Sequence, residues 1–207
     1  MSLNLCRVLA LLALFAAGAV SAAEKPAPFE AGKHYTVISE EATAEPVVME
    51  FFSYGCPHCY SFQPYMDKLK AALGESVEFQ YVPVDFGGGY WTPTQELYLV
   101  LEALGRLEEL HMDAFKHVHE QRRFIRDSGD ARAFAAAHDI SAEEYAKAAK
   151  SFAAHVRKKR YDQLTERYRI TGTPTIIVNG KYRVELPELK GGQEQFTQLV
   201  RHLLTNP

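Results

Sequence analysis

The feature that most constrains the fold is a six-residue apolar stretch that runs directly into a pair of cysteines. Val47–Phe52 is apolar except for Glu50, a pattern typical of a central strand buried on both faces of a sheet. A three-residue turn follows, and then the sequence Cys-Pro-His-Cys at positions 56–59 opens an amphipathic stretch that ends near Gly74. Pro57 suits the first helical position, where its missing N–H costs nothing. The sequence therefore predicts a buried strand that delivers two cysteines to the start of a helix.

Further strands are predicted at positions 35–38, 77–82, 175–178 and 181–184, and a final helix at 194–204. Asn179-Gly180 is a typical two-residue hairpin turn between the last two strands. Helices are predicted at 92–105, 107–120, 128–137 and 141–151 and then on to residue 168. Thr92 and Pro93 start the first of them, and Ser141 and Glu144 have the spacing of a capping box at the start of the fourth. This order is that of an α/β chain with a thioredoxin fold and an inserted helical domain. The predicted division is 23–85 and 154–207 for the two parts of the fold and 86–153 for the insertion.

The N-terminus has the layout of a secretory signal peptide. Arg7 precedes an apolar run at positions 8–20, and small residues follow at 20–23. The run is shorter than the roughly 20 residues that a membrane-spanning helix needs, which disfavours the alternative of a retained anchor. We therefore expect residues 1–22 to be removed, after Ala22 or Ala23, from a protein exported to the periplasm.

The charge balance disfavours a nucleic-acid partner. The chain has 23 Lys+Arg against 26 Asp+Glu, and loss of Arg7 with the signal leaves 22 against 26, a net charge of −4. Nucleic-acid-binding domains usually carry a clustered basic face. The one basic run, at positions 157–160, is interpreted as the solvated face of a helix.

Cysteine usage indicates chemistry rather than structural cross-linking. Of three cysteines, Cys6 lies in the predicted signal, so Cys56 and Cys59 remain. A bridge between them would close almost no loop and so would stabilise the fold little. A zinc site is the other alternative, but no second pair of ligands is present, and the histidines at 111, 117 and 119 lack a helical ligand spacing. No metal is expected. No cofactor is expected either, because the glycines at 87–89 lack the Lys-Ser/Thr of a phosphate loop.

The position of Cys56 at a helix start favours its thiolate. Unpaired backbone N–H groups and the positive end of the helix dipole lie there, and His58 can add an N–H donor or a positive charge. A stabilised thiolate stabilises the reduced protein and makes the Cys56–Cys59 disulfide a stronger oxidant. A pKa about 3 units below ambient pH would supply about 4 kcal/mol, on the order of 90 mV. Cys59, one turn further along, is expected to be buried and poorly reactive.

Two other positions are candidates for the same site. Thr173-Pro174 precedes a predicted strand, and there it resembles a cis-proline loop whose Thr173 backbone could pair with an extended substrate. A trans proline before an edge strand is the alternative. Glu50, in the middle of an apolar strand, is costly unless it has a partner or a task. It could accept the proton of Cys59 through water, or it could be a salt-bridged or edge-facing glutamate.

Residues 49–60, Met-Glu-Phe-Phe-Ser-Tyr-Gly-Cys-Pro-His-Cys-Tyr, resemble the active-site segment of the DsbA family. The resemblance extends to positions 32–36, 172–174 and 178–182 and covers nearly the whole mature chain. It implies a thioredoxin fold with a helical insertion and donation of disulfides to newly exported, reduced polypeptides. It also implies re-oxidation by the quinone-linked inner-membrane protein DsbB. The roles it implies are nucleophile for Cys56, resolving thiol for Cys59, cis-proline for Pro174 and buried proton acceptor for Glu50.

The chain departs from the family pattern at two positions. Family members often pair the buried glutamate with a lysine on the strand after the first helix, whereas residues 79–82 read Phe-Gln-Tyr-Val. Thr173 stands before the proline in place of valine.

Two alternative functions remain open, a disulfide isomerase or exported reductant and a peptide-binding chaperone. Isomerases of this kind usually carry an N-terminal dimerisation domain, and the short segment before the first strand favours a monomer.

Overall fold

The computed structural model describes residues 29–206, so the signal peptide predicted at 1–22 lies outside the described residues. Among these residues, no helix is both long and apolar enough to cross a bilayer. The strands are β1 (Tyr35–Val37), β2 (Val47–Phe52), β3 (Glu78–Pro83), β4 (Thr175–Val178) and β5 (Tyr182–Val184). The helices are α1 (Pro57–Leu73), α2 (Trp91–Ala103), α3 (Leu107–His119), α4 (Ser128–Ala136), α5 (Ala142–Ala149), α6 (Phe152–Arg167) and α7 (Gly192–Thr205).

The five strands form one mixed sheet in the order β1-β5-β4-β2-β3. β2 runs parallel to β3 and antiparallel to β4, and all six of its residues are buried. Successive side chains of a strand point to opposite faces. Val48 accordingly packs with α1 and α7, whereas Met49 and Phe51 belong to the larger core on the other face. Glu50, two residues after Val48, therefore lies on the face that α1 covers. The predicted thioredoxin fold is confirmed.

Helices α2 to α5 lie between β3 and α6 along the chain, and α2 packs against α3, α4, α5 and α6. The predicted capping box at the start of α5 is present. The Glu144 N–H donates to Ser141 Oγ (3.2 Å), and the Ser141 N–H donates to the Glu144 carboxylate (2.9 Å). The insertion boundary predicted at residue 153 falls in the first turn of α6, which begins at Phe152. The domain division itself stays a prediction.

Some predicted helix ends are wrong, two of them because a nearby side chain takes a different role. Thr92 does not cap α2, because its hydroxyl donates to Asp85 Oδ1 (3.0 Å) and the helix already begins at Trp91. α5 ends at Ala149, two residues earlier than predicted, because Ser151 caps the next helix by accepting from the Ala154 N–H (3.1 Å). The last helix begins two residues earlier than predicted.

The hairpin turn between β4 and β5 is confirmed, and its last strand starts later than predicted. Asn179 and Gly180 both have positive φ, 52° and 62°, which two-residue hairpin turns require. The Lys181 N–H donates to the Val178 carbonyl (3.1 Å) and closes the turn, so β5 begins at Tyr182.

Replacement of the capping serine tests how much the α5 start contributes to stability. Ser141→Ala leaves the N–H of Glu144 without its acceptor, and we expect the free energy of unfolding in urea to fall by about 1 kcal/mol. Ser141→Thr, which keeps a capping hydroxyl that can also donate to Glu144, should retain most of the stability of the unsubstituted protein. An alanine variant with an unchanged urea midpoint would contradict this assignment.

Candidate active site

The two cysteines occupy the junction between β2 and α1. Cys56 is the N-cap of α1, with extended backbone angles (φ −89°, ψ 116°), and Pro57 takes the first helical position as predicted. The Cys56 N–H donates to the Ser53 carbonyl (3.0 Å), which closes the turn after β2. The Cys59 N–H donates to Cys56 Sγ (3.4 Å), so the sulfur acts as the capping atom. The first turn of the helix is thus directed at Cys56.

Both cysteines are free thiols in the structure, and their acidities differ widely. The pKa of Cys56 is lowered to about 5, first by a hydrogen bond from the Cys59 side chain and then by bonds from the Thr173 side chain and from backbone N–H groups. The pKa of Cys59, whose side chain is fully buried, is raised far above its usual value, mainly by burial. The structure therefore distinguishes an acidic outer sulfur from an inner one that holds its proton.

His58 contributes to the surroundings of Cys56 through its backbone. Its backbone N–H is among the groups that lower the Cys56 pKa, whereas the residue is exposed to solvent. The predicted contribution of the imidazole itself stays a prediction.

The Thr173–Pro174 peptide bond is cis, as predicted, and the alternative of a trans bond is wrong. The loop lies against the cysteines, because the Cys56 thiol donates to the Thr173 carbonyl oxygen (3.4 Å). The Thr173 side chain lowers the pKa of both cysteines through hydrogen bonds. Threonine in place of valine thus adds a polar group directly at the reacting sulfurs.

Glu50 is completely buried on the α1 side of β2. The Gln63 amide N–H donates to both of its carboxylate oxygens (3.1 and 3.3 Å) and to the Cys59 carbonyl (3.2 Å). Burial raises the pKa of Glu50 to about 8, while the Gln63 hydrogen bond and the charge of Lys70 act to lower it. The alternative of an edge-facing glutamate is wrong, since β2 is an inner strand of the sheet. Glu50 is instead an inward-facing, fully buried carboxyl that Gln63 holds in place.

Sequence reasoning did not find Gln63, Tyr81 and Lys70, which surround Glu50. A signal was available for two of them. Positions 63 and 70 are seven residues apart, so they lie on one face of α1, the face that also buries Met66. Polar residues on a buried helical face indicate a buried polar partner.

An open groove of about 500 Å³ lies beside the cysteines. His58 and the Thr173–Pro174 loop form one edge, and the rest of its lining is mostly apolar. The other lining residues are Ser61, Phe62, Tyr65, Leu186, Pro187, Leu189 and Phe196.

The three histidines of α3 serve packing and local hydrogen bonding. His111 is enclosed among aromatic rings, its Nδ1 lies 3.0 Å from the Tyr54 hydroxyl, and burial lowers its pKa to about 3. His117 packs edge-on against Phe134, and His119 stacks on Tyr60. Within residues 29–206, no cluster of His, Cys, Asp or Glu has an arrangement that could hold a metal ion.

A family model described as the DSBA-like thioredoxin domain matches residues 47–203. The chain belongs to the DsbA family. It is 34% identical over 201 residues to the thiol:disulfide interchange protein DsbA of Azotobacter vinelandii, an alignment that covers 95% of this chain and 93% of that protein. It is 33% identical over 189 residues to DsbA of Pseudomonas syringae pv. tomato, with 88% and 86% of the two chains covered. The chain is therefore a disulfide oxidoreductase.

Solved DsbA structures share the fold over most of the chain. DsbA of Pseudomonas aeruginosa superposes with a TM-score of 0.76 at 30% identity, covering 86% of this chain and 94% of that one. A DsbA of Proteus mirabilis, solved with a non-covalently bound peptide, superposes with a TM-score of 0.77 at 26% identity, covering 86% and 100%.

Removal of the Thr173 hydroxyl tests its effect on Cys56. Thr173→Val deletes a hydrogen bond that stabilises the thiolate, so the pKa of Cys56 should rise by roughly one unit. Thiolate absorbance near 240 nm during a pH titration of the reduced protein measures it. Thr175→Val is the matched control, because that hydroxyl bonds only to the Gly172 carbonyl in the structure. Equal Cys56 titrations in the two variants would contradict the assignment.

The low pKa of Cys56 also links stability to pH. Cys56 ionises at about 5 when folded and at about 8.5 when unfolded. Because folding lowers the pKa of Cys56, its ionisation stabilises the folded state fully above the unfolded pKa of about 8.5, and this stabilisation is lost as the pH falls toward 5. Glu50, with its raised pKa, destabilises the folded protein increasingly between about pH 4.5 and 8, and the main cause of that raised pKa is burial rather than the charge of Cys56.

The difference in unfolding free energy between the reduced and oxidised forms isolates the Cys56 contribution. Between pH 5 and 8.5 we expect that difference to shift in favour of the reduced form by up to about 5 kcal/mol. Denaturant unfolding of both forms across this range measures it. A difference that does not change with pH would show that the Cys56 thiolate is not stabilised by folding.

Proposed function

We propose that this chain donates the Cys56–Cys59 disulfide to newly exported, reduced polypeptides in the periplasm. We further propose that a DsbB-like inner-membrane quinone oxidoreductase re-oxidises it. The observation that carries the proposal is the difference in acidity between the two sulfurs. A stabilised Cys56 thiolate stabilises the reduced protein, so electrons flow from substrate thiols to this disulfide. Low-pKa cysteines and oxidising potentials are known for the DsbA family, so this direction agrees with the family.

The pKa of about 5 defines how large this driving force is. At pH 7, two units above this pKa, ionisation of Cys56 stabilises the reduced protein by about 3 kcal/mol relative to one with an ordinary thiol. This amounts to a potential on the order of 60 mV above that of a similar pair with unperturbed cysteines. The value is smaller than the 90 mV expected from a three-unit depression, yet it has the sign that a disulfide donor needs.

The proposed oxidation begins when a substrate thiolate attacks Cys56 Sγ. The Cys56–Cys59 bond breaks, and Cys59 leaves as a thiolate that takes up a proton, because its raised pKa makes the anion unfavourable. The second substrate thiolate then attacks the substrate sulfur of the mixed disulfide. Cys56 leaves as the stable thiolate, the substrate gains a disulfide, and the enzyme keeps two electrons. A low-pKa leaving group makes this second step fast.

Glu50 is the proposed partner of Cys59 in proton exchange. Its pKa of about 8 lets it donate a proton to the departing Cys59 sulfur and accept one when Cys59 attacks during re-oxidation. Gln63 bonds to the Glu50 carboxylate and to the Cys59 carbonyl, which supports a short path between the two groups. Glu50 would act through water.

Substrate is proposed to bind as an extended segment beside the Thr173–Pro174 loop, with apolar side chains in the adjoining groove. Two features support this docking mode. The loop carbonyl of Thr173 already accepts a hydrogen bond from Cys56, so a peptide paired there would place its sulfur at the nucleophile. The related Proteus mirabilis structure contains a bound peptide. The protein is expected to act as a monomer and without a cofactor.

Equilibration of the mature protein with glutathione buffers tests the donor role. We expect a reduction potential clearly more positive than that of a thioredoxin-type reductant, because the low Cys56 pKa alone supplies on the order of 60 mV over a pair with unperturbed cysteines. A potential as negative as that of thioredoxin would instead favour an exported reductant. In cells that lack their own oxidase, the double variant Cys56→Ser/Cys59→Ser should restore no disulfide formation. Full activity of that variant would favour the chaperone alternative.

A further inference from the structure

Glu50 has no direct ionic partner, yet a lysine is connected to it through two other side chains. The family lysine is absent from β3, where Tyr81 lies directly beside Glu50 in the parallel register. We propose that Lys70, Tyr81 and Gln63 form a one-directional hydrogen-bond chain that transmits the charge of Lys70 to Glu50. In this way the hydrogen-bond chain sets how strongly Glu50 holds its proton. The proposal rests on the proposed role of Glu50 as the proton partner of Cys59.

The contacts join without a gap. The Lys70 ammonium donates to the Tyr81 hydroxyl oxygen (2.7 Å), and its Nζ lies 4.3 Å from the centre of the Tyr81 ring. The Tyr81 hydroxyl donates to Gln63 Oε1 (3.2 Å). The Gln63 amide N–H groups complete the chain at the Glu50 carboxylate (3.1 and 3.3 Å).

The chemistry of its members fixes the direction of the chain. A lysine ammonium can only donate, so it leaves the Tyr81 proton free to point inward. The Gln63 NH₂ group faces the Cys59 carbonyl, which can only accept, so the amide nitrogen lies on that side and the amide oxygen must face Tyr81. All bond dipoles therefore align toward Glu50. Aligned hydrogen bonds in a low-dielectric interior polarise one another, which strengthens the effect of the terminal charge.

Lys70 is the cation whose charge favours the ionised form of Glu50. The acidic groups Asp67 and Cys56 act in the opposite direction and favour the protonated carboxyl. On α3, His111 lies against the Tyr81 ring at 4.2 Å between centroids, but its pKa of about 3 keeps it neutral. On α2, the Tyr98 hydroxyl donates to the Tyr81 backbone carbonyl (3.3 Å) and so does not enter the chain.

The hydrogen-bond chain also explains how this protein can lack the family lysine on β3. Lys70 reaches the same strand from α1 and is itself only partly buried, so its ammonium stays close to solvent. Tyr81 then carries the contact inward to a carboxylate that is fully buried. Lys70, Tyr81 and Gln63 are positioning residues, since none of them needs to touch the reacting sulfurs through its side chain.

Direct titration of Glu50 tests the proposal. In protein labelled with ¹³C at glutamate carboxyl carbons, NMR reports the midpoint at which Glu50 ionises in the oxidised form. Tyr81→Phe removes one hydroxyl and keeps the ring, and Lys70→Met removes the charge. Each should raise the Glu50 midpoint by roughly one pH unit, a tenfold change in proton affinity. The double variant should raise it no further than either single variant, because both break the same chain.

Two control variants keep the hydrogen-bond chain intact. Tyr98→Phe removes a neighbouring hydroxyl that donates to the Tyr81 backbone carbonyl and touches none of the side-chain links to Glu50. Lys70→Arg preserves the charge and a donor. Neither should move the Glu50 midpoint. A midpoint that moves in Lys70→Met but not in Tyr81→Phe would show that the lysine acts through space. That result would overturn the proposed hydrogen-bond chain. Unchanged midpoints in both variants would overturn it as well.

A second measurement separates this proposal from the proton role on which it rests. The rate at which Cys59 resolves a mixed disulfide at Cys56 should show an inflection with pH that follows the Glu50 midpoint in each variant. In Glu50→Gln that inflection should disappear. If it persists, Glu50 does not exchange the proton and the proposed function loses that step. The NMR midpoints still decide whether the chain acts on Glu50.

Discussion

The structure depends on one electrostatic arrangement, in which the sulfur of Cys56 takes the place of a helix-capping oxygen. The first N–H groups of α1 have no helical acceptor, and the Cys59 N–H is directed at that sulfur. A charged acceptor strengthens such bonds, so the helix start and the thiolate stabilise each other. Formation of the Cys56–Cys59 bond removes the negative charge and with it this stabilisation. The reactivity of the disulfide is therefore a property of the helix terminus as much as of the two cysteines.

The second requirement is that neighbouring groups differ in proton affinity. Cys56, at the N-cap of α1, is held as an anion near neutral pH, whereas burial favours the neutral form of Cys59 and of Glu50. Groups whose pKa values are pushed apart by their environments can divide the roles of nucleophile and proton carrier. Here a single structural unit, β2 followed by α1, supplies all three groups.

Local patterns predicted most of the fold and the sulfur chemistry. The apolar run at 47–52, the proline after Cys56, the capping box at Ser141 and the Asn179-Gly180 turn all act over a few residues, so the sequence displays them directly. The surroundings of Glu50 could not be predicted in the same way. Gln63 and Lys70 look like ordinary polar residues of an amphipathic helix, and Tyr81 like an ordinary strand residue. Their meeting depends on the register of β3 against β2 and on the rotation of α1, which only the packed structure defines. Thr92 was misassigned for a similar reason, since Asp85 competes for its hydroxyl.

The pairing of β2 with its neighbours has a consequence for how this enzyme can vary. Glu50 pairs with Tyr81 on one side and with Ile176 on the other. Because side chains alternate along a strand, a slip of β2 by one residue would turn the carboxylate into the opposite core and bring Met49 or Phe51 under α1. The insertion of a single residue before Cys56 would have to be accommodated in the turn at 53–55. Otherwise Glu50 and Cys59 would no longer lie on the same side of the sheet. Strand alignment in this sheet thus sets the geometry of the site, so an insertion or deletion can leave the site intact only where it leaves that alignment undisturbed.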